Sequence, residues 1–553
     1  MPSDVELYQR TYTTLLRSRG ETKLRILEPS HRAMGSSLHP LAASDELDLG
    51  AFLYATQRLP ARIYAGRVVI MGQEAEQFAV AGIDYTPWPT VESPARRRRW
   101  HEGPDGQWVV LLSSTSDVDD LIPTLVAYQL EWNKLRRRLR AIGWPRPQGL
   151  PGSAECARAL GGSPEDWDRL QEAWGTAFAR RLGEVAEINL SLRVRMLGGS
   201  QVSYARMTRR WWAPVARRME DDGLAAAPVY FVSSNTHSLV NLLSGDARAR
   251  ERELVEWVQR AGPKDLQEEL AAFREERTAG SWDNFLYFVA RDHATVDPGA
   301  QTPRRDAEDD VGIVHLGSHT ALRVAAQIMP LARLDPARLD PRLGEVDPDA
   351  LRASGAVIVN VDYPLGLAAY NILREITEDR DTLRGVYVLG KAATLNADVG
   401  DVMISSTVFD EHSGTTYWLD NAFGFDDIAP YLRFGSGLDN QRAVTVRSTF
   451  LQNRDYLDLY YREAYTVVEM EAGPYCDAVY ELSEADRYPS DGQVNMSKLP
   501  VDFGVVHYAS DTPFTQARTL GARGMSYYGM DSTYATSIAI LRRIFTQAGA
   551  LQQ

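Results

Sequence analysis

The segment Val467-Val-Glu-Met-Glu-Ala-Gly-Pro-Tyr-Cys-Asp-Ala-Val-Tyr-Glu481 changes its period half-way along. Thr466–Met470 has the β-branched, apolar composition of a buried strand, and residues 473–483 continue as a helix. If the strand runs on past Glu469, then Glu469 and Glu471 face one way and Met470 the other. Carboxylates accept hydrogen bonds from sugar hydroxyls, and a methionine packs against a ribose or a base. A solvated strand end is the plainer alternative.

The same alternation extends in both directions. Strands are expected at Gly312–Leu316, Val357–Val361, Val386–Leu389, Val402–Ser405, Ala443–Val446 and Phe503–Tyr508. Helices are expected at Ala321–Met329, Leu367–Ile376 and 533–546. Residues 311–553 therefore read as an α/β domain around a central sheet, with ligands expected where strands end. Three more such ends carry chemistry. His315-Leu-Gly-Ser-His-Thr320 with Arg323 offers Gly317 and a following helix N-terminus to an anion. Val388-Leu-Gly-Lys-Ala-Ala-Thr394 places Gly390 beside Lys391. Tyr508-Ala-Ser-Asp511 ends an apolar strand on an acid that burial can turn into a proton donor. Turns and caps explain each of these segments taken singly.

In this order the segments resemble the nucleoside phosphorylase superfamily, which includes purine nucleoside phosphorylases, uridine phosphorylase, methylthioadenosine nucleosidase and AMP nucleosidase. The resemblance covers roughly 311–550 and rests on residues 467–481, 390–405 and 505–511. It implies an α/β/α domain with a central mixed sheet that cleaves the bond between a base and a ribose. By the same resemblance Glu471 holds the ribose hydroxyls, with Met470 and Glu469 beside the sugar. Asp511 protonates the leaving purine, Ser510 orients it, and Phe450 stacks on the base. Gly317 and Arg323 contact phosphate. The reaction passes through an oxocarbenium-like sugar, so a carboxylate at the ribose and an acid at the base serve its two needs. The chain departs from the family at Val388, where phosphorolytic members carry arginine, at Lys391 in place of serine, and at Ala393-Thr394 in place of two glycines. These changes favour water over phosphate as the nucleophile. A phosphorylase using Lys391 as its phosphate ligand, and a nucleotide-sensing protein without turnover, remain the alternatives.

The chain has 553 residues, so several domains are expected. Residues 1–292 read as a helix-rich α/β region of unassigned role. Its strands fall at Val68–Met71, Trp108–Leu112 and Val229–Val232, and its long helix at Asp119–Ile142. Further helices fall near 165–187, 203–219, 248–259 and 264–276. Residues 293–310 have linker composition, and 332–354 read as an insertion. Asp117, Asp119 and Asp120 read as a solvated turn, the arginines of 96–99 as a solvated face, and Val232-Ser-Ser-Asn-Thr-His-Ser238 as a helix cap. The segment from Ser116 to Leu135 resembles one in an uncharacterised bacterial domain, which implies no activity.

A net charge of -14 disfavours binding to a nucleic-acid polymer. Two cysteines exclude a disulfide framework or a cysteine-rich metal site. The start of the chain lacks secretory features, and no apolar run reaches bilayer length. The expectation is a cytoplasmic homo-oligomer without metal or cofactor, acting in purine metabolism on a small nucleoside or nucleotide, with phosphate as the alternative co-substrate.

Overall fold

The computed structural model describes residues 3–18, 20–144, 152–198, 204–378, 382–484, 492–512 and 527–551. Its contacts divide the chain into two compact units. The first comprises Met1–Thr208, His319–Arg323 and Val446–Glu463; the second comprises Arg209–Ser318, Val324–Thr445 and Ala464–Gln553.

The first unit holds strands β1 (Thr22–Lys23), β2 (Val68–Gly72), β3 (Thr90–Ser93), β4 (Arg96–Glu102), β5 (Gln107–Leu111) and β6 (Arg193–Met196), in the order β1-β6-β2-β5-β4-β3. Thr115–Ala141 is its long helix, and Leu121, Leu125, Trp132 and Leu135 bury its apolar side in the core. The acids at the start of that helix are not a solvated turn: Asp117, Asp119 and Asp120 are all buried. Asp120 takes a two-pronged hydrogen bond from Arg96, both distances 3.0 Å, and a third at 2.6 Å from Arg98. Arg98 also donates to Asp117 at 2.8 Å. Sequence composition could not show this, because β4 brings its arginines to the helix only when the sheet forms. Burial alone would raise the Asp120 carboxyl, but Arg96 and Arg98 overcome it and hold the group well below the usual carboxylate range.

The second unit holds β7 (Val229–Ser234), β8 (Val314–Leu316), β9 (Ala326–Pro330), β10 (Val357–Asp362), β11 (Leu383–Thr394), β12 (Val402–Asp410), β13 (Thr415–Trp418), β14 (Gly437–Thr445), β15 (Tyr465–Glu469), β16 (Gln493–Asn495) and β17 (Asp502–Asp511). The sheet is mixed, ordered β16-β13-β12-β14-β15-β11-β7-β10-β9-β8, with β17 pairing both β11 and β12. That extra pairing closes β11, β17, β12, β14 and β15 into a ring, so one end of the sheet is a small barrel. β11 makes both parts. Its first half pairs with β7 as far as Val388, and its end pairs with β15 at Ala393 and Thr394.

Helices cover both faces of the open part. Tyr230 and Val232 of β7 enter a core with Leu239, Phe285, Ile538 and Leu541. Phe231, pointing the other way, has its ring 5.5 Å from Tyr475 on the helix Ala472–Ser483.

These boundaries differ from the expected division at 292 and 310. Val229–Ser234 lies between β10 and β11 at the centre of the second unit's sheet, so that unit begins at Arg209. The expected linker is occupied by helices Trp282–Val296 and Gln301–Asp310, and Glu308 of the latter is buried between Arg304 and His315. The insertion 332–354 contains a short helix, Pro348–Ser354. In place of the expected helix Ala321–Met329, residues 326–329 belong to strand β9, which pairs with β8 and β10 and is buried at every position. An apolar run that short has no decisive period, and pairing on both sides settled it.

Candidate functional site

The quoted segment folds as strand, tight turn, helix. β15 ends at Glu469, the chain turns at Met470, and Glu471 takes the N-cap position of the helix Ala472–Ser483. The two glutamates thus meet through the turn and not as alternate residues of one strand. Glu469 is a capping carboxylate. Its Oε2 accepts from the backbone N–H groups of Glu471 at 2.6 Å and Ala472 at 2.7 Å, and its Oε1 from the Thr445 hydroxyl. Thr445 accepts in turn from the Gly473 N–H at 2.7 Å. Negative charge is favoured at a helix N-terminus, so this end of the helix is held twice over. Gly473 is needed there, because a Cβ would stand 2.5 Å from Asp410.

Glu471 is the group left over. It is 7% exposed, and burial together with the negative charge of Glu469 pushes its carboxyl well above the ordinary value, against a smaller pull from the Met470 backbone N–H. It lies against Gly390 of β11, where a Cβ would stand 2.7 Å from Glu471 Oε1 and 2.4 Å from His507 Cδ2. Gly390 pairs with His507 on β17, so two strands and one turn converge on this point. Gly390→Ala is expected to displace His507 or Glu471, costing about 1–3 kcal/mol as overpacking does, and a urea midpoint compared with that of Gly317→Ala will show it. Gly317 is exposed, with nothing near its missing Cβ.

Asp511 ends β17 and is 5% exposed. The β11–β17 register shifts just before it, from Ala392 opposite Ala509 to Ala393 opposite Asp511, which skips Ser510. Bulges of this kind re-aim side chains. The Ser510 hydroxyl lies 2.8 Å from Asp511 Oδ2 and 3.1 Å from the Ala392 carbonyl oxygen, so its one proton can go to either. Both Glu471 and Asp511 act on Tyr508, whose phenol burial, Tyr363, Glu471 and Asp511 all push up.

The expected residues therefore divide. Gly390, Glu469, Met470, Glu471, Ser510 and Asp511 come together where β11, β15 and β17 meet. Lys391, the exposed residue between buried Gly390 and Ala392, leaves β11 on the face opposite Gly390 and His507, which is the face of its partner Tyr508. Gly317 follows β8 at the far edge of the sheet, with β9, β10 and β7 between it and β11. It leads into β9 and not into a helix, so no helix N-terminus exists there for an anion. Arg323 belongs to the first unit. Phe450 does as well; its ring is fully buried against those of Tyr54, His31 and His39.

Sequence reasoning assigned no role to His507, Tyr508 or Tyr363. Asn235 follows β7 and is the cap expected in that segment, accepting from His237 N at 3.0 Å and Ser238 N at 2.7 Å. Its place in the fold was hidden because β7 was assigned to the other domain. Tyr363 has a positive φ of 22°, a strained setting for a tyrosine.

A nitrogen of His507 and an oxygen from each of Glu469 and Glu471 lie within 4.8 Å of one another, a spacing at which metal ions are held. Glu469, however, has already committed both oxygens to Thr445 and two backbone N–H groups. We therefore do not assign the three as a ligand set.

Residues 24–546 match the family described as a family of unknown function, DUF6909. The chain belongs to that family. No curated protein matches it. Among solved structures, this DUF6909 chain is similar to a 5'-methylthioadenosine/S-adenosylhomocysteine nucleosidase from S. pneumoniae with a transition-state inhibitor, at 15% identity and a TM-score of 0.29, over 42% of this chain and 90% of that one. The corresponding nucleosidase from Neisseria meningitidis shares 13% identity over 41% and 89%, with a TM-score of 0.28. A methylthioadenosine phosphorylase from an antarctic soil metagenomic library shares 9% over 36% and 74%, with a TM-score of 0.27. Likenesses this distant carry no argument about chemistry. Among the described residues no helix is long and apolar enough to cross a membrane.

Proposed function

We propose that the second unit of this DUF6909 protein hydrolyses the N-glycosidic bond of a purine nucleoside or nucleotide and releases the free base. The observation that carries this reading is the buried carboxyl of Glu471, set beside Glu469, with buried Asp511 ending β17 and both acids acting on Tyr508. Ribose hydroxyls bind to Glu471, and Met470, half-buried in the same turn, packs beside the sugar. As the bond to the base stretches, the sugar becomes positive, and the two glutamates are already in place with no solvent to reorganise. Asp511 gives its proton to the departing ring nitrogen, and Ser510 fixes its orientation. Water attacks the anomeric carbon, because Val388 stands where phosphorolytic members of the resembled family carry the arginine that holds phosphate.

The test is product analysis with a panel of purine and pyrimidine nucleosides and nucleotides, each with and without phosphate. Free base with ribose or ribose phosphate is expected, independent of added phosphate, and Asp511→Asn is expected to slow its release about 10²–10⁴-fold. Ribose 1-phosphate formed only with phosphate present would make the enzyme a phosphorylase. Tight nucleotide binding without base release would make the unit a sensor.

A further inference from the structure

His507 has no part in that reaction as described, yet its setting asks for one. It is 0% exposed, and neither ring nitrogen has a hydrogen-bond partner. A neutral imidazole has one N–H to give and one nitrogen to accept with, and burying both unused is a standing cost that native proteins rarely leave in place. The ring occupies the space that Gly390 leaves, where a Cβ would stand 2.6 Å from His507 Nε2 and 2.7 Å from Glu471 Oε1. Nε2 is 3.6 Å from Glu469 Oε2, too long for a good hydrogen bond. The charged groups within reach of the ring are Glu469, at the end of β15, and Glu471, in the turn after it; Tyr508 and Asp511 of β17 pair with Lys391 and Ala393 and so take the other face. Lys391 on β11 is exposed on the opposite face. The charged surroundings of the ring are thus two carboxyl groups.

Resting on the function proposed above, we infer that His507 is the internal proton acceptor for Glu471. When a sugar's hydroxyls enter, the O–H bond of the Glu471 carboxyl breaks and an N–H bond forms on the His507 ring. A neutral pair becomes a carboxylate beside an imidazolium, and no proton is lost to water. The carboxylate accepts the sugar hydroxyls, while the imidazolium is held between Glu471 and Glu469. The proton returns to Glu471 when the product leaves. His507 is a positioning residue: it acts on the sugar only through Glu471.

The test uses the full chain without any nucleoside. The Glu471 carboxyl carbon and the His507 ring nitrogens are followed by NMR against pH, with Glu471→Gln and His507→Gln to assign the signals. In the wild type the two groups are expected to respond in one shared transition. In His507→Gln the shared transition is expected to be lost, with Glu471 titrating alone at a pH displaced by more than about one unit from it. Overturning results are a Glu471 titration unchanged in His507→Gln, or a wild-type His507 ring that stays silent through the Glu471 transition. If His507→Gln does not fold, the wild-type ring signals decide alone. Because no substrate is involved, failure here and failure of the product assay are separate outcomes.

Discussion

Glu471→Gln is expected to remove turnover and raise stability together. The amide has the shape of the protonated carboxyl, so the cavity beside Gly390 stays filled. It cannot become a carboxylate, so the ribose loses its anionic acceptor, and base release should fall by about 10²–10⁴-fold, the range for a group of this kind. The stability effect follows from the raised ionisation of Glu471, caused by burial and then by Glu469. In the unfolded chain a glutamate ionises near pH ~4.3. Above that pH the unfolded chain has released a proton that the folded chain still holds. Each further pH unit therefore costs the folded state up to about 1.4 kcal/mol, until the folded group ionises too. The glutamine carries no such penalty. Urea midpoints of the two proteins should converge near pH 4 and separate as pH rises, with the variant the more stable. A wild type that gains on the variant between pH 5 and pH 8 would show that Glu471 is held as a carboxylate in the free protein.

The second large effect lies in the first unit and has the opposite pH dependence. Asp120→Ala leaves Arg96 and Arg98 without their shared carboxylate, and the Arg98 side chain is 4% exposed. Removing one partner of such a buried group costs about 3–5 kcal/mol, here because two guanidiniums with little solvent are left with the single carboxylate of Asp117. In a unit of this size that is a fall in melting temperature on the order of 10 °C. Asp120 is held below its unfolded value, so its contribution is complete above about pH 4, where an unfolded aspartate is ionised, and is lost as acid protonates the folded group. The wild type and Asp120→Ala should therefore differ fully from pH 5 to 8 and approach each other below pH 4. A difference under about 1 kcal/mol at pH 7 would mean that the cluster behaves like an exposed salt bridge. Product release by Asp120→Ala, measured below its melting temperature, tells whether the second unit works independently of the first.

The two groups show how far a linear chain reveals its chemistry. The change of period at Glu469 is local: valines favour extended backbone, and Ala472-Gly-Pro474 allows a helix to start, since a proline in the first turn loses no hydrogen bond. Strand and helix were therefore legible, though not the turn that joins them, as were the acids at the ends of β15 and β17 and the run of α/β alternation around them. Each depends on neighbours a few residues away.

What was not legible depends on pairing over long separations. The central place of β7 depends on β10 and β11, more than a hundred residues further on, and a short apolar run is the same in sequence wherever it is buried. Ala326–Pro330 became a strand because β8 and β10 flank it. The Asp120–Arg96–Arg98 cluster needed a sheet to bring its arginines to a helix. His507 looked like one more residue of an apolar strand until the register set it opposite Gly390, within reach of two glutamates. The sequence by itself determined which local elements form and which acids end them. Only the tertiary structure decided which of those ends meet and how each buried charge is answered, because burial and long-range pairing are properties of the folded chain and not of any segment.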